Sequence, residues 1–353
     1  MGLPEIIFKL KEKSDTAIKR SGNGVVALIL ADGTKTDTSY AYSKLADVTK
    51  AHWTNDNYDY IRLAFLGEPK SVIVERVAAT NTSYTDALKR LAVKKFNYLA
   101  VPGIAAANIS DISDWISTQR SANRRAKKAV LPNSAGDSEA IINFTTSDIK
   151  TDTKTYTTAQ YCARIAGLLA GIPLSQSSTY RVLPEVVSIT ESTTPDTDIN
   201  AGKFILINDG AQIKTGRGVN SLQTVSGGKT EDMKKIKIVE GMDLIADDIL
   251  DAFENDYVGQ VANSYDNKQL FVTAVQKYIN DMTDEGVLYP NFENAVYIDL
   301  DAQRKYLAEQ GKDVTAMTDE EIKKANTGSK VFIAADLQFE DAMEDLTFGV
   351  TIE

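Results

Sequence analysis

Gly24-Val25-Val26-Ala27-Leu28-Ile29-Leu30, followed by the turn signal Ala31-Asp32-Gly33-Thr34, decides the fold class. An apolar run this short, bounded by glycines, reads as a strand buried on both faces, the condition of a parallel sheet covered by helices. Working outward, Tyr58, Ile61, Leu63, Ala64 and Phe65 follow a helical pattern that Gly67 and Pro69 end. Ser71 to Val77 is a second strand rich in β-branched residues, Asp86 to Val93 a helix, and Tyr98 to Val101 a strand stopped by Pro102-Gly103. Ile109, Ile112, Trp115 and Ile116 share a helical face ahead of another strand at Ala129 to Leu131. Strands alternating with helices predict parallel pairing and a layered α/β core over about residues 22–150.

The 353 residues carry a formal charge of −10, 43% hydrophobic residues, one Cys and one His. These values suit a soluble globular protein of one or two domains, and no apolar run reaches the length of a membrane span. The start Met1-Gly2-Leu3-Pro4-Glu5 shows no signal-peptide pattern, and the single Cys162 fits a reducing compartment, so a cytosolic chain is expected. An acidic balance argues against broad nucleic-acid binding.

One histidine constrains enzymatic readings severely. His52 has no second His or nearby Cys with which to build a zinc site, and no Gly-x-Ser-x-Gly elbow supplies a nucleophile for a triad. Cys162, in Tyr161-Cys162-Ala163-Arg164-Ile165-Ala166, sits on an apolar helical pattern as a small core residue. Ser226-Gly227-Gly228-Lys229-Thr230 imitates the end of a phosphate-binding loop, but Gln223 stands where its first glycine belongs. No catalytic, cofactor or metal site is therefore assigned. The enzyme alternative would have to use the carboxyl ends of the strands, near Pro102 or Pro132.

Beyond the α/β core, Ala159 to Ala170 reads as a helix and Ser188 to Asn200 as an exposed loop. Phe204 to Ile207, Ala211 to Lys214 and Val219 to Thr224 read as a meander, its first turn the hairpin signal Asn208-Asp209-Gly210. Ile238, Met242, Ile245, Ile249 and Phe253 then mark a long helix, and Leu270, Phe271, Ala274, Val275, Tyr278, Ile279 and Met282 another, stopped by Gly286. A strand at Ala295 to Leu300, a charged insertion at 301–329 and two further strands complete the chain. The basic stretch Arg120, Arg124, Arg125, Lys127 and Lys128 is read first as a solvated helix end, second as a contact between subunits, and last as a nucleic-acid patch, which lacks interleaved aromatic residues.

The two ends are patterned. Phe8 and Leu10 alternate with lysines, and Leu346, Phe348, Val350 and Ile352 alternate with polar or small residues up to Glu353. Each end either pairs as an edge strand in its own subunit or completes a neighbour's sheet. Charge favours complementary pairing: the first twenty residues hold five cations, whereas the last eighteen hold six carboxylates and no basic residue.

The segments Met1 to Lys9, Ser14 to Arg20, Gly24 to Leu30 and Tyr161 to Leu174, with Gly218-Val219-Asn220-Ser221-Leu222, Gly286-Val287-Leu288 and Asp341 to Leu346, occur here in an order that resembles a known family. These are the contractile tail sheath proteins of myophage-like prophages and of R-type bacteriocins from Gram-positive bacteria. The resemblance implies a non-enzymatic subunit that needs no cofactor. It implies homo-oligomeric six-fold rings stacked helically around an inner tail tube protein, with baseplate and terminator proteins as further partners and neither nucleic-acid binding nor membrane insertion. Assembly is expected in the host bacterial cytoplasm, and the finished phage tail or bacteriocin is extracellular after lysis. The expected organisation is mixed α/β: an N-terminal arm (1–20), an outer α/β domain with a β meander (21–229), a helix-rich inner, tube-facing domain with a small sheet (230–335) and a C-terminal strand arm (336–353). Arm strands carry Phe8, Leu10, Leu346, Phe348, Val350 and Ile352. Candidate tube contacts are the basic Lys234, Lys235 and Lys237 or the acidic Asp243, Asp247 and Asp251.

Overall fold

The computed structural model describes residues 24–80, 83–122 and 125–351; the expected arm residues Phe8, Leu10 and Ile352 lie outside them. The decisive run forms β1 (Val25–Ala31) at the middle of a sheet. Its neighbours are β3 (Ser71–Val77), which follows helix α1 (Asn55–Phe65) and carries β2 (Ser39–Tyr42) on its far side, and β4 (Tyr98–Ala100), which follows α2 (Thr85–Ala92). Helix α3 (Ile109–Ser121) leads into β5 (Lys128–Pro132) and β6 (Ile141–Phe144). β7 (Ser147–Thr151), β8 (Thr155–Tyr156) and β9 (Val186–Thr190) form a separate small sheet, with α4 (Thr158–Gly171) between β8 and β9. After α5 (Pro195–Asn200) comes β10 (Lys203–Phe204), which completes the order β10-β6-β5-β4-β1-β3-β2 of the large sheet. Every pairing in it is parallel except β2 on β3, so the layered parallel core expected from the sequence is present.

Alternation along β1 divides the core. Val26, Leu28 and Leu30 point into a cluster with Ile61 and Leu63 of α1 and Cys162, Ile165 and Ala166 of α4. Ala27 and Ile29 point the other way, to Leu88 and Leu91 of α2 and Ile112 and Ile116 of α3. The end of α1 and the body of α4 approach backbone to backbone. A Cβ on Gly167 would lie 2.0 Å from the Ala64 carbonyl oxygen, so only glycine fits.

β11 (Leu206–Asn208) and β12 (Ile213–Thr215) form the hairpin signalled by Asn208-Asp209-Gly210, with Gly210 at φ 91°. Three expectations need correction nearby. Phe204 to Ile207 is not one strand, because Phe204 joins the large sheet while Leu206 starts the hairpin. Ser188 to Asn200 is not wholly a loop, since it holds the end of β9 and helix α5, which opens with Pro195. Val219 to Thr224 is irregular, with one bridge from Val219 to Lys235, because Asn220 bonds locally to Leu222 N–H and to Met233 O.

The long helices are α6 (Ile236–Asp256) and α7 (Tyr265–Asp284), which ends before Gly286 at φ 73°. β13 (Ala295–Ile298) pairs antiparallel with β14 (Ile333–Asp336). The charged segment between them is no bare insertion. It folds as α8 (Leu300–Glu309) and α9 (Asp319–Lys324), the latter opened by a capping box of Thr318 and Glu321. Its apolar anchors, Leu307 and Ile322, are too sparse to make a visible period.

Contacts divide the described chain into one unit of residues 24–243 with 341–351 and another of residues 244–340. This break in contacts falls inside α6, because the first turns of that helix carry Asp243 into the α/β unit. There Asp243, buried, accepts from Arg120 (2.9 and 3.0 Å) and Lys128 (2.8 Å). Lys128 also meets Glu240 at 3.2 Å, and Arg120 meets Glu139 at 3.3 Å. The basic stretch is thus not a solvated helix end. Lys127 is buried too, and its ammonium donates to Leu91 O and Ala92 O, capping the C-terminus of α2 instead of α3. Arg124 lies outside the described residues.

Candidate assembly interface

The C-terminal segment has a fixed root and a free run. At the root, Glu344 Oε1 accepts from Ser177 Oγ (2.6 Å) and Thr179 Oγ1 (2.7 Å), and its other oxygen meets Arg217 Nε at 3.2 Å. Arg217 also pairs with Asp345, and Lys235 pairs with Asp341. The loop after α4 supplies both hydroxyls, and the turn after β12 supplies the guanidinium. Arg217 holds the Asp345 carboxyl below its ordinary value, while Asp345 raises the Arg217 guanidinium.

Beyond Asp345 the tail pairs with no strand among the described residues. Leu346, Phe348 and Val350 are 88%, 80% and 69% exposed. Three large apolar side chains at period two on an extended, unpaired run form a strand face without a sheet. The sequence identified this alternation. It missed the root, because Arg217 sits in Gly216-Arg217-Gly218, which reads only as a turn.

The other unit has a strand edge with no partner among the described residues. β13 has its outer side met by α7, where Gln276 Oε1 accepts the Val296 N–H at 2.8 Å. Among the described residues β14 pairs with β13 alone, in a sheet of two strands. Such a pair is marginal by itself and presents an open row of backbone groups.

The charged residues expected to face a tube are not equivalent. Lys237 and Asp243 are buried, the latter spent on Arg120 and Lys128. Lys234 pairs with Glu231 at 2.8 Å, and Lys235 is engaged at the tail root. Asp247 and Asp251 are half-buried on α6.

At the carboxyl ends of the strands, a cavity of about 720 Å³ is lined by Pro132, Asn133 and Ser134 together with Ser113, Asp114 and Thr158. Among the described residues that line it, Asp114 alone is titratable. His52 is half-buried and lends its carbonyl oxygen to Thr34 and Arg76. Cys162 is fully buried, and burial pushes its thiol far up, away from nucleophilic chemistry. No group of three or more His, Cys, Asp or Glu among the described residues could hold a metal ion.

Residues 78–220 match the phage tail sheath protein central domain, and residues 228–353 match the phage tail sheath C-terminal domain. The tail sheath protein of Clostridium phage phiCD119 is 37% identical over 359 residues, covering 99% of each chain. Among solved structures, the fold is similar to a sheath tail protein of Listeria innocua, with TM-score 0.71 and 15% identity over 93% of this chain and 98% of that one. It is also similar to the anti-feeding prophage helical sheath in its contracted state, with TM-score 0.68 and 14% identity over 94% of each chain.

Proposed function

Because the chain belongs to the phage tail sheath family and is a sheath subunit of a contractile injection system, we propose that it assembles by donating its C-terminal tail as a strand to a neighbouring copy. The observation that carries this reading is the exposed apolar run after Asp345, held at a charged root. The open edge of β14 in a second copy is the acceptor, since it offers backbone groups to a strand that lacks partners. Burying one Leu, one Phe and one Val contributes about 1.5–3 kcal/mol each before the cost of association. Repetition around a ring makes such links add up.

In this reading subunits form stacked six-fold rings around an inner tube, and the N-terminal arm (1–20) serves as a second link. The layered sheet units move as rigid bodies between extended and compact lattices, with the arms as hinges. Work comes from the assembly, so the subunit is non-enzymatic and takes no nucleotide. Its partners are further copies, a tube protein and baseplate and terminator proteins, not nucleic acid or membrane. Assembly takes place in the host cytoplasm, and the finished particle acts outside it.

Deleting residues 346–353 is the direct test. The shortened chain is expected to remain folded and soluble by circular dichroism, while negative-stain microscopy shows no sheath cylinders. Unfolding of the shortened chain, or cylinders formed without the tail, would overturn strand donation.

A further inference from the structure

A cavity of about 500 Å³ opens between the end of α6 and the approach to β14. Phe253, Tyr257 and Phe271 make its aromatic wall, and the exposed Val258 and Val261 stand at its rim. Two polar groups in this apolar setting are incompletely used. Lys268 is 4% exposed, and its ammonium donates to Thr327 Oγ1 at 2.9 Å with no carboxylate of the described residues in its ion-pairing range. Asn263 donates through Nδ2 to Gly328 O (2.8 Å) and Lys330 O (2.9 Å), which fixes its orientation and leaves its buried Oδ1 without a donor among the described residues. A cation with spare protons and an orphan acceptor, both lining one apolar hollow, call for an anion and an N–H attached to an apolar body. Burial lowers the proton affinity of Lys268, as expected for an ammonium that no anion supports.

We propose that this cavity seats the end of the tail donated by a second copy, with Val350 and Ile352 against the aromatic wall, Lys268 answering the Glu353 carboxylate, and Asn263 Oδ1 accepting a backbone N–H. The inference rests on strand donation to β14. Length and charge argue for it. β14 has four residues, whereas the alternating run Leu346 to Ile352 has seven, so an antiparallel donor overruns β14 by about three residues, or about 10 Å. That overrun passes Ile333 toward Val331, Ser329 and Gly328, which line the cavity. The last eighteen residues carry no cation to repel Lys268, unlike the lysine-rich first twenty. A peptide supplies the N–H that Asn263 lacks, and a fatty acid does not.

The test uses the full-length protein and a fluorescein-labelled peptide of residues 342–353, read by fluorescence anisotropy. Binding to the parent chain is expected. Lys268→Met, which keeps the site apolar and should fold, is expected to weaken binding at least tenfold. The Glu353→Gln peptide should lose as much on the parent chain and little more on Lys268→Met, as coupled partners do. Equal binding of the unmodified peptide to parent and Lys268→Met would overturn the cavity assignment while leaving strand donation intact. Octanoate binding without peptide binding would give the cavity to a free amphipathic carboxylate and overturn it as well. If neither chain binds the peptide and Ala335→Pro on the β14 edge leaves sheath assembly unharmed, strand donation itself falls.

Discussion

Asp243→Asn removes one charge from the centre of a buried ionic cluster. Asp243 meets Arg120 through two hydrogen bonds and Lys128 through one, and all three side chains are buried or nearly so. Taking one partner from a buried pair costs about 3–5 kcal/mol, because the remaining charge stays out of water. Here each cation keeps a second carboxylate, Glu139 for Arg120 and Glu240 for Lys128, so the lower end, about 3 kcal/mol, is expected. Trp53 and Trp115, the two tryptophans of the chain, both lie in the α/β unit and report its unfolding by fluorescence. With a urea slope of about 2–3 kcal/mol per molar, the midpoint should fall by about 1–1.5 M. Glu231→Gln, which breaks only the exposed pair with Lys234, should leave it nearly unmoved. Asp243 and Glu139 are both held below their ordinary carboxylate values despite burial, by Lys128 and Arg120 for Asp243 and by Lys229 and Arg120 for Glu139. Their folded values are depressed, so their stabilisation is complete above about pH 4 and is lost as pH falls below it. Asp243→Asn should therefore also flatten the acid limb of the stability curve. An unchanged urea midpoint together with an unchanged acid limb would refute the view that this cluster fastens the start of α6.

Gly167→Ala should be among the most damaging single-methyl changes, since the new Cβ meets the Ala64 carbonyl at 2.0 Å; a melting temperature equal to the parent's would contradict the close crossing of α1 and α4. Burial and the neighbouring Asp281 raise Glu285 from 4.5 to about 7. A raised carboxyl favours the folded state while protonated, so stability should decline between pH 4.5 and 7, by about 1–2 kcal/mol after allowing for solvent, and Glu285→Gln should remove that slope in thermal melts. Cys162 should resist DTNB until the chain unfolds; prompt reaction would place the thiol outside the core. For tube contact, Lys234→Glu and Asp247→Lys with Asp251→Lys are to be scored by whether sheath assembles around tube, and no effect from either removes both clusters. Lys235 is left intact because its loss would also loosen the tail root.

The parallel core was legible because its signals are local and redundant. β1 and β3 are apolar runs between glycine or proline boundaries, and the α4 pattern with Cys162 is continuous over three turns. Short elements escaped for a corresponding reason. β10 has two residues and β11 three, so pairing with a distant strand, not local preference, decides where one ends and the other begins. Helices α8 and α9 were hidden by composition. Their charges occupy the solvent side, and one or two buried residues per helix suffice to dock them.

Charge was the least legible property, for a physical reason. A cationic run in an acidic chain looks like surface, since burying an ion without a partner is prohibitive. The partner that Arg120 and Lys128 share, Asp243, is 123 and 115 residues away in sequence, and Lys127 is satisfied by carbonyl groups at the end of a helix it does not belong to. Only the folded chain brings them together. The tail presents the converse case. Its alternation is plain in the sequence, yet the fold gives it a root and no sheet. Under the proposed strand donation, cations buried within the subunit and apolar residues exposed beyond it follow one logic: what must stay rigid is closed inside the chain, and what would join copies is left open beyond Asp345. A subunit that moves as a body while remaining linked needs both, and a strand bonded along its backbone supplies a link that survives a change of angle at its root.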